Sequence, residues 1–342
     1  MSARVIDGKA IAKALRAALK GDVAALTTKY GRVPQGTLTA NASSFSGSCA
    51  VCLRLLQAPA LGLIMVGDRK DSALYVRNKH AACRRTGIRS ENFLFDEGVH
   101  QVLPPPAISA ACDTIVQKVE ALNQDPTIDG ILVQLPLPGA NLNAQQIIDR
   151  IQHDKDVDGL HPFNAGELAM RGRYPYLIPC TAKGILALLD EQHTPLRGKT
   201  AVVIGRSNLV GNPVSMLLRK RDATVIQCHS KSVDLPRYVR QADVVVVACG
   251  QPYLVRGDWL KPGATVIDVG INFVHDEAGA FHGEANADGF KLVGDVHFPE
   301  ACKVAGAVTP VPGGVGPMTI AMLLHNVVEA FKRQMDNRKG MQ

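Results

Sequence analysis

The spacing of apolar and polar positions along this chain changes several times, and each change marks an element. Ile11, Leu15, Ala18, Leu19, Val23 and Leu26 recur at helical spacing, which predicts one helix over 5–30 starting near Asp7 or Gly8. Residues 34–50 lose that period and are rich in Gly, Ser, Thr, Ala and Asn, so they read as a polar segment or insertion. An apolar strand is expected at Leu61–Val66. Gly67-Asp68-Arg69 turns it into a helix that begins near Ser72, which can cap it, and ends by Gly87. Another helix is expected over about 107–123. The strand Gly130–Val133 then meets the stiff Gln134-Leu135-Pro136-Leu137-Pro138, and 143–152 reads as a short helix.

From residue 180 the pattern becomes an alternation. Helices at Thr181–Glu191, Val214–Arg219 and Tyr238–Ala242 are interleaved with apolar strands at Ala201–Ile204, Thr224–Cys228, Val244–Ala248 and Thr265–Val269. Short runs of β-branched residues separated by helices predict a parallel, doubly wound sheet. An amphipathic helix over 319–336 follows.

Composition narrows the picture by exclusion. The 342 residues suffice for two domains, with 46% hydrophobic and 20% charged residues. Aromatics are 5%, few for a protein that stacks on bases, so no nucleic-acid partner is expected. The net charge of +7 is scattered and is either a plain solvated surface or a mild attraction for anionic ligands. No apolar stretch approaches the ~18 residues that span a bilayer. Only Cys49 and Cys52 among the 8 cysteines form a CxxC, too few ligands for a zinc site, and no metal is expected. Dispersed cysteines favour a cytoplasmic setting. The basic, amphipathic N-terminus keeps a mitochondrial presequence as the alternative, although Asp7 and Asp22 interrupt its charge.

Two stretches carry candidate chemistry. Ala201–Ile204 runs into Gly205-Arg206-Ser207-Asn208-Leu209-Val210-Gly211 and a helix, the place where a Rossmann sheet holds pyrophosphate on a helix N-terminus. Ser207 replaces the second glycine of the usual fingerprint, so a plain strand–turn–helix fits as well. The next strand ends in His229-Ser230-Lys231-Ser232 rather than in the carboxylate an NAD site uses for the ribose. Arg206, Ser230 and Lys231 could instead bind a 2′-phosphate, which favours NADP over NAD. Cys249-Gly250-Gln251-Pro252 and Gly270-Ile271-Asn272 end two further strands, where ligands of such sheets bind; Asp268 reads equally as a loop cap.

In the first half, Tyr75 and Lys79 lie four residues apart and share a helix face. A lysine and a phenol in one cleft form an acid–base pair when burial disfavours the ammonium; on a surface they are a lysine over a ring. Gln134 ends a buried strand and needs a partner or a cleft. Asp158 lies on the turn Lys155-Asp156-Val157-Asp158-Gly159. Thr309-Pro-Val-Pro312-Gly313-Gly314-Val315-Gly316-Pro-Met-Thr319 joins stiff prolines to permissive glycines before a helix, as a structural elbow or a close backbone approach.

Taken together, VGDRKDSALYVRNK (66–79), DGILVQLPLP (129–138), KDVDGLHPFNAGEL (155–168), IPCTAKG (178–184), VVIGRSNLVGNPVSMLL (202–218), CHSK (228–231), GQP (250–252), DVGIN (268–272) and TPVPGGVGPMT (309–319) resemble the bifunctional methylenetetrahydrofolate dehydrogenase/methenyltetrahydrofolate cyclohydrolase (FolD-type) family. The resemblance covers about 5–33 and 58–332. It implies an α/β fold of two domains: an N-terminal three-layer α/β catalytic domain at 1–180, completed by the helix 319–342, and a Rossmann-like NADP-binding domain with a parallel sheet at 181–318. One cleft between them would serve both reactions.

The resemblance also implies roles. Lys79 would handle the proton as water adds to the methenyl carbon, and Gln134 would hydrogen-bond that lysine. Tyr75 would orient the folate and Asp158 would anchor the pterin. Val133, Leu135, Pro312, Gly313, Gly314, Val315 and Gly316 would line the folate pocket. Gly205, Arg206, Ser207, Ser230 and Ile271 would hold NADP, with Ser72 and Thr319 as supports, Thr319 on the cofactor side. Tetrahydrofolate one-carbon derivatives would be the ligands and a homodimer the assembly. Residues 34–57 exceed the family's usual connection, and 272–294 look variable. The rival readings are a dehydrogenase without cyclohydrolase activity, a non-catalytic NADP-binding protein, and a preference for NAD.

Overall fold

Runs that are apolar throughout become interior strands, and the sheets form around them. The computed structural model describes residues 2–30, 58–96, 105–138, 142–275 and 289–339, so the 34–57 insertion with its CxxC lies outside the described residues. In chain order the elements are β1 (Arg4–Val5), α1 (Gly8–Tyr30), β2 (Ala60–Val66), α2 (Lys70–Thr86), β3 (Arg89–Phe95), α3 (Pro105–Gln124), β4 (Gly130–Val133), α4 (Ala144–Ile148), α5 (Pro162–Ala169), α6 (Cys180–Glu191), β5 (Thr200–Ile204), α7 (Gly211–Lys220), β6 (Thr224–Cys228), α8 (Leu235–Val239), β7 (Val244–Val247), β8 (Thr265–Asp268), β9 (Asn272–His275), β10 (Phe290–Val293), α9 (Phe298–Val304), β11 (Ala307–Val308) and α10 (Val315–Lys339). Among the described residues no helix is long and apolar enough to cross a membrane.

The chain divides into two compact units, one of Met1–Ala14, Leu168–Tyr174 and Pro179–Met322, the other of Leu15–Glu167, Pro175–Ile178 and Leu323–Gln342. In the second, β2 is the middle strand of the order β3-β2-β4, all parallel, and every residue of β2 and β4 is buried. Ile115, Val119 and Leu122 of α3 pack on Ile64, Val66 and Ile131, giving the buried-strand, covered-face arrangement that parallel sheets require. Gly130 admits the turn that follows α4: a Cβ there would lie 2.3 Å from Val157 Cγ1.

The first unit holds a six-stranded sheet in the order β1-β11-β8-β7-β5-β6, parallel at every pairing. Its centre, β7, is four valines, all fully buried. β9 and β10 form a separate antiparallel pair.

Three details differ from the sequence reading. The first helix starts at Gly8, where the Asp7/Gly8 signal puts it, with Asp7 Oδ1 accepting the Ala10 N–H, but residue 5 is not part of it: Arg4 and Val5 pair with Ala307 and Val308 as a strand. Ser72 does not cap α2, which begins at Lys70 after Arg69 with no side-chain cap; Ser72 lies buried inside the first turn. Thr319 likewise sits one turn inside α10, because Val315-Gly316-Pro317 already adopt helical backbone, a position where proline is tolerated.

Candidate active site

Lys79 is placed by α2 and Gln134 by the end of β4. The helix turns Lys79 inward with Val76 and Cys83, while the Gln134 N–H continues the ladder by donating to the Ile64 carbonyl at 2.8 Å. Lys79 Nζ donates to Gln134 Oε1 at 2.9 Å, and Gln134 Nε2 donates to the Leu135 carbonyl at 2.7 Å. Both side chains are 9% exposed. The amide is therefore aimed from both ends, its oxygen at the lysine and its nitrogen at the backbone. Below Lys79, burial pushes the Cys83 thiol up to about 12, which leaves it an inert packing group. Tyr75 is half-buried one turn before Lys79 on the same helix. Val133 packs inside the apolar cluster with Ile64 and Ile131, so its backbone is the part left to meet a ligand.

Asp158 is half-buried on the turn after a bridge between Ile131 and Asp156. That turn is tied down by groups the sequence did not single out. Asp156, 1% exposed, accepts from the N–H of Gly159 at 3.1 Å and of His161 at 2.7 Å, and from Asn164 Nδ2 at 3.1 Å. Burial, with Asp158 adding to it, pushes the Asp156 carboxyl up to about 6 against the pull of those donors. Lys155 Nζ donates to the Leu122 and Asp125 carbonyls, and Asn326 Nδ2 of α10 donates to the Val157 and Ile178 carbonyls. The run Lys155–Gly159 signals a turn; nothing in it reveals that Asn326 would close the network.

In the other unit, Gly205 follows the end of β5 with φ +132°, and a Cβ there would lie 2.2 Å from the Ala248 carbonyl oxygen. Only glycine fits. Ser207 Oγ accepts the Val210 N–H at 3.2 Å, so it braces the loop before α7, and Gln227 Nε2 donates to the Gly205 carbonyl and to Asn212 Oδ1. A cavity of about 340 Å³ opens at these strand ends, walled by Gly205, Arg206, His229, Ser230, Cys249 and Gln251 among others. Ser207, Ile271 and Thr319 lie outside its walls; Ile271 is 46% exposed, and Thr319 Oγ1 donates to Thr181 Oγ1. Arg206 and Ser230 are exposed with no carboxylate among the walls. The cavity therefore suits a dinucleotide that carries an extra phosphate: a glycine floor, a guanidinium and hydroxyls.

The Pro312–Gly316 stretch is set by its neighbours in the same unit. Gly313 has φ +114°, Gly314 N–H donates to the Pro310 carbonyl, and the Lys9 N–H donates to the Gly313 carbonyl. Val315 is buried and Gly316 faces open space. Among the described residues no group of three or more His, Cys, Asp or Glu could hold a metal ion.

Comparison with known proteins supports both halves separately. Residues 6–158 match the tetrahydrofolate dehydrogenase/cyclohydrolase catalytic domain, and residues 179–335 match the tetrahydrofolate dehydrogenase/cyclohydrolase NAD(P)-binding domain. The chain is 46% identical over 332 residues to bifunctional protein FolD 2 of Arabidopsis thaliana, covering 97% of this chain and 96% of that protein. It is 44% identical over 329 residues to bifunctional protein FolD 1, mitochondrial, of the same plant, covering 96% and 81%. Its fold is similar to the crystal structure of Trypanosoma brucei methylenetetrahydrofolate dehydrogenase-cyclohydrolase (FolD) complexed with NADP cofactor and inhibitor, with a TM-score of 0.82, 38% identity, and 98% and 99% of the two chains covered.

Proposed function

This chain belongs to the tetrahydrofolate dehydrogenase/cyclohydrolase family and is a bifunctional, NADP-dependent enzyme of that family, and from that premise we propose how its residues divide the work. It interconverts 5,10-methylene- and 5,10-methenyl-tetrahydrofolate and hydrolyses the methenyl form to 10-formyl-tetrahydrofolate. The observation that carries the division is the buried Lys79–Gln134 hydrogen bond at 2.9 Å.

Bound NADP supplies the hydride acceptor for the first reaction. Loss of hydride from the methylene carbon leaves a cationic methenyl group and demands no strong base, so the protein's part is placement. In our reading Tyr75 orients the folate, Asp158 accepts hydrogen bonds from the pterin N–H groups, and Leu135, the Val133 backbone and Pro312, Gly313, Gly314, Val315 and Gly316 line the substrate's path. Gly205, Arg206 and Ser230 hold the dinucleotide, with the phosphate taken by Arg206 and Ser230; Ser207, Ile271 and Thr319 complete or support that site.

The second reaction needs a proton moved. Water adds to the methenyl carbon and loses one proton, the new hydroxyl loses a second as it becomes the formyl carbonyl, and one ring C–N bond breaks as its nitrogen gains one. Lys79 carries that proton and Gln134 fixes where the lysine points. A working homodimer belongs to the same proposal, and the exposed Phe273 and Phe290 on β9 and β10 offer an apolar face for it. We assign the enzyme to the cytoplasm, with a mitochondrial location as the alternative, and assign it no nucleic-acid or membrane partner.

A two-part assay tests the reading. Purified protein should form NADPH from NADP and methylenetetrahydrofolate, and should accelerate the loss of methenyltetrahydrofolate absorbance without cofactor. NADPH formation without the second activity would make it a dehydrogenase alone.

A further inference from the structure

Behind the cavity that Gly205 and Ser230 line, two buried carboxylates hold three chain segments together. Asp295 is 0% exposed and follows β10 by one residue, Gly294. Its Oδ2 accepts the N–H of Cys249 at 2.7 Å and of Gly250 at 2.9 Å, and its Oδ1 accepts from Asn272 Nδ2 at 2.9 Å. Asp268, 3% exposed at the end of β8, accepts the N–H of Gly270 and of Asp295 on Oδ1 and that of Val296 on Oδ2.

The two groups interlock through glycines. A Cβ on Gly270 would lie 2.4 Å from Asp295 Cγ, and one on Gly294 would lie 1.8 Å from Asp268 Oδ2. Each glycine therefore lets the opposite carboxylate reach its backbone donors. Gly250 takes the left-handed φ of +66° between two residues of the cavity wall, Cys249 and Gln251. A turn in that conformation, with successive N–H groups pointing one way, has its direction set by whatever accepts them. Here the acceptor is Asp295, on the side away from solvent.

We propose that Asp295 is a positioning residue for the dinucleotide: its buried carboxylate fixes the Cys249–Gly250 turn and, through Asn272, the start of β9, and so sets the wall on which NADP rests. The inference rests on the reading that this cavity takes NADP. The carboxylate of Asp295 accepts from Cys249, Gly250 and Asn272 and its N–H donates to Asp268, all within the unit that holds this cavity, so the proposal concerns the cofactor and not the cyclohydrolase step.

The test is Asp295→Asn in the full-length protein, an isosteric change that puts an amide NH₂ or a weaker carbonyl where two backbone donors converge. The Kd and KM for NADP should rise about tenfold or more, the loss expected for a charge-assisted pair of hydrogen bonds. The dehydrogenase kcat at saturating NADP should stay within about threefold and cofactor-free cyclohydrolase turnover within about twofold, a split that a general loss of folded protein would not give. An NADP Kd within about twofold of wild type, or equal loss of both activities in soluble protein, would overturn the proposal. If the variant does not fold, Asn272→Ala takes its place; it removes one donor from Asp295, and a rise of about threefold in NADP KM is expected, an unchanged KM counting against the idea. Wild-type protein that fails to bind NADP would sink the functional reading and this inference together, whereas normal wild-type binding with an unaffected variant sinks the inference alone.

Discussion

Lys79 Nζ and Gln134 Oε1 lie 2.9 Å apart although 55 residues separate them in the chain. The contact exists because α2 and β4 both pack on β2, and it leaves the lysine with one fixed amide partner. Lys79→Met keeps the packing volume and removes the proton carrier, so cyclohydrolase kcat should fall by about 100-fold or more, the usual share of a general acid–base group. NADP reduction should fall far less, since it needs no proton carrier. Measuring both rates on one preparation checks this, and parallel loss would place Lys79 in substrate binding instead. Gln134→Leu should lower the same rate about tenfold by freeing the lysine from its direction.

Gly205→Ala should damage the other half. The added Cβ would sit 2.2 Å from the Ala248 carbonyl oxygen at a φ of +132°, with backbone on both sides of the clash. Strain at such a position costs about 1–3 kcal/mol, and the strand end must move to relieve the clash. A lowered Tm and a higher KM for NADP are expected, with cyclohydrolase turnover per folded molecule preserved.

The interior strands were legible because burial on both faces leaves nothing but apolar residues: β2, β5 and β7 could be read from hydrophobicity alone. β3 was not read, since its Arg-Ser-Glu-Asn-Phe-Leu-Phe is half-exposed at a sheet edge and mixes polar with apolar positions. β1 and β11 are two residues each, too short to show any period; β11 is held by pairing with β8, and β1 by pairing with β11. The candidate site was legible where a motif carried it, as at Lys79, Gln134 and Gly205. Asp156, Asp295 and Asn326 act by accepting or donating to backbone far off in the chain, which no local pattern records.

Cofactor preference should follow the end of β6. Arg206 and Ser230 face the cavity and no wall residue is acidic. Ser230→Asp sets a carboxylate where a 2′-phosphate would lie and gives the ribose hydroxyls of NAD an acceptor. The ratio of kcat/KM for NADP over NAD should drop by about 100-fold, and by about tenfold for Arg206→Ala, which only removes an attraction. A ratio unchanged by both substitutions would place the phosphate elsewhere.

Asp156 gives a prediction in pH. Its carboxyl is pushed up to about 6 by burial first, and by Asp158, with the N–H groups of His161 and Gly159 and the Asn164 amide pulling it back. An unfolded aspartate titrates near ~3.9. Between about pH 4 and pH 6 the native state thus keeps a proton that the unfolded chain has lost, so stability falls as pH rises through that window and levels off above it. Each tenfold change in proton affinity is worth about 1.4 kcal/mol, so across the whole window the loss amounts to roughly 3 kcal/mol. Asp156→Asn carries no such dependence. Urea unfolding of both proteins from pH 4 to pH 7 should therefore show the unfolding free energy of wild type minus variant decreasing by about that amount. A difference that stays flat would mean the turn holds Asp156 at an ordinary carboxylate value, with its three donors outweighing burial. Because the same turn carries Asp158, the variant's KM for the folate substrate should rise even where its stability matches wild type.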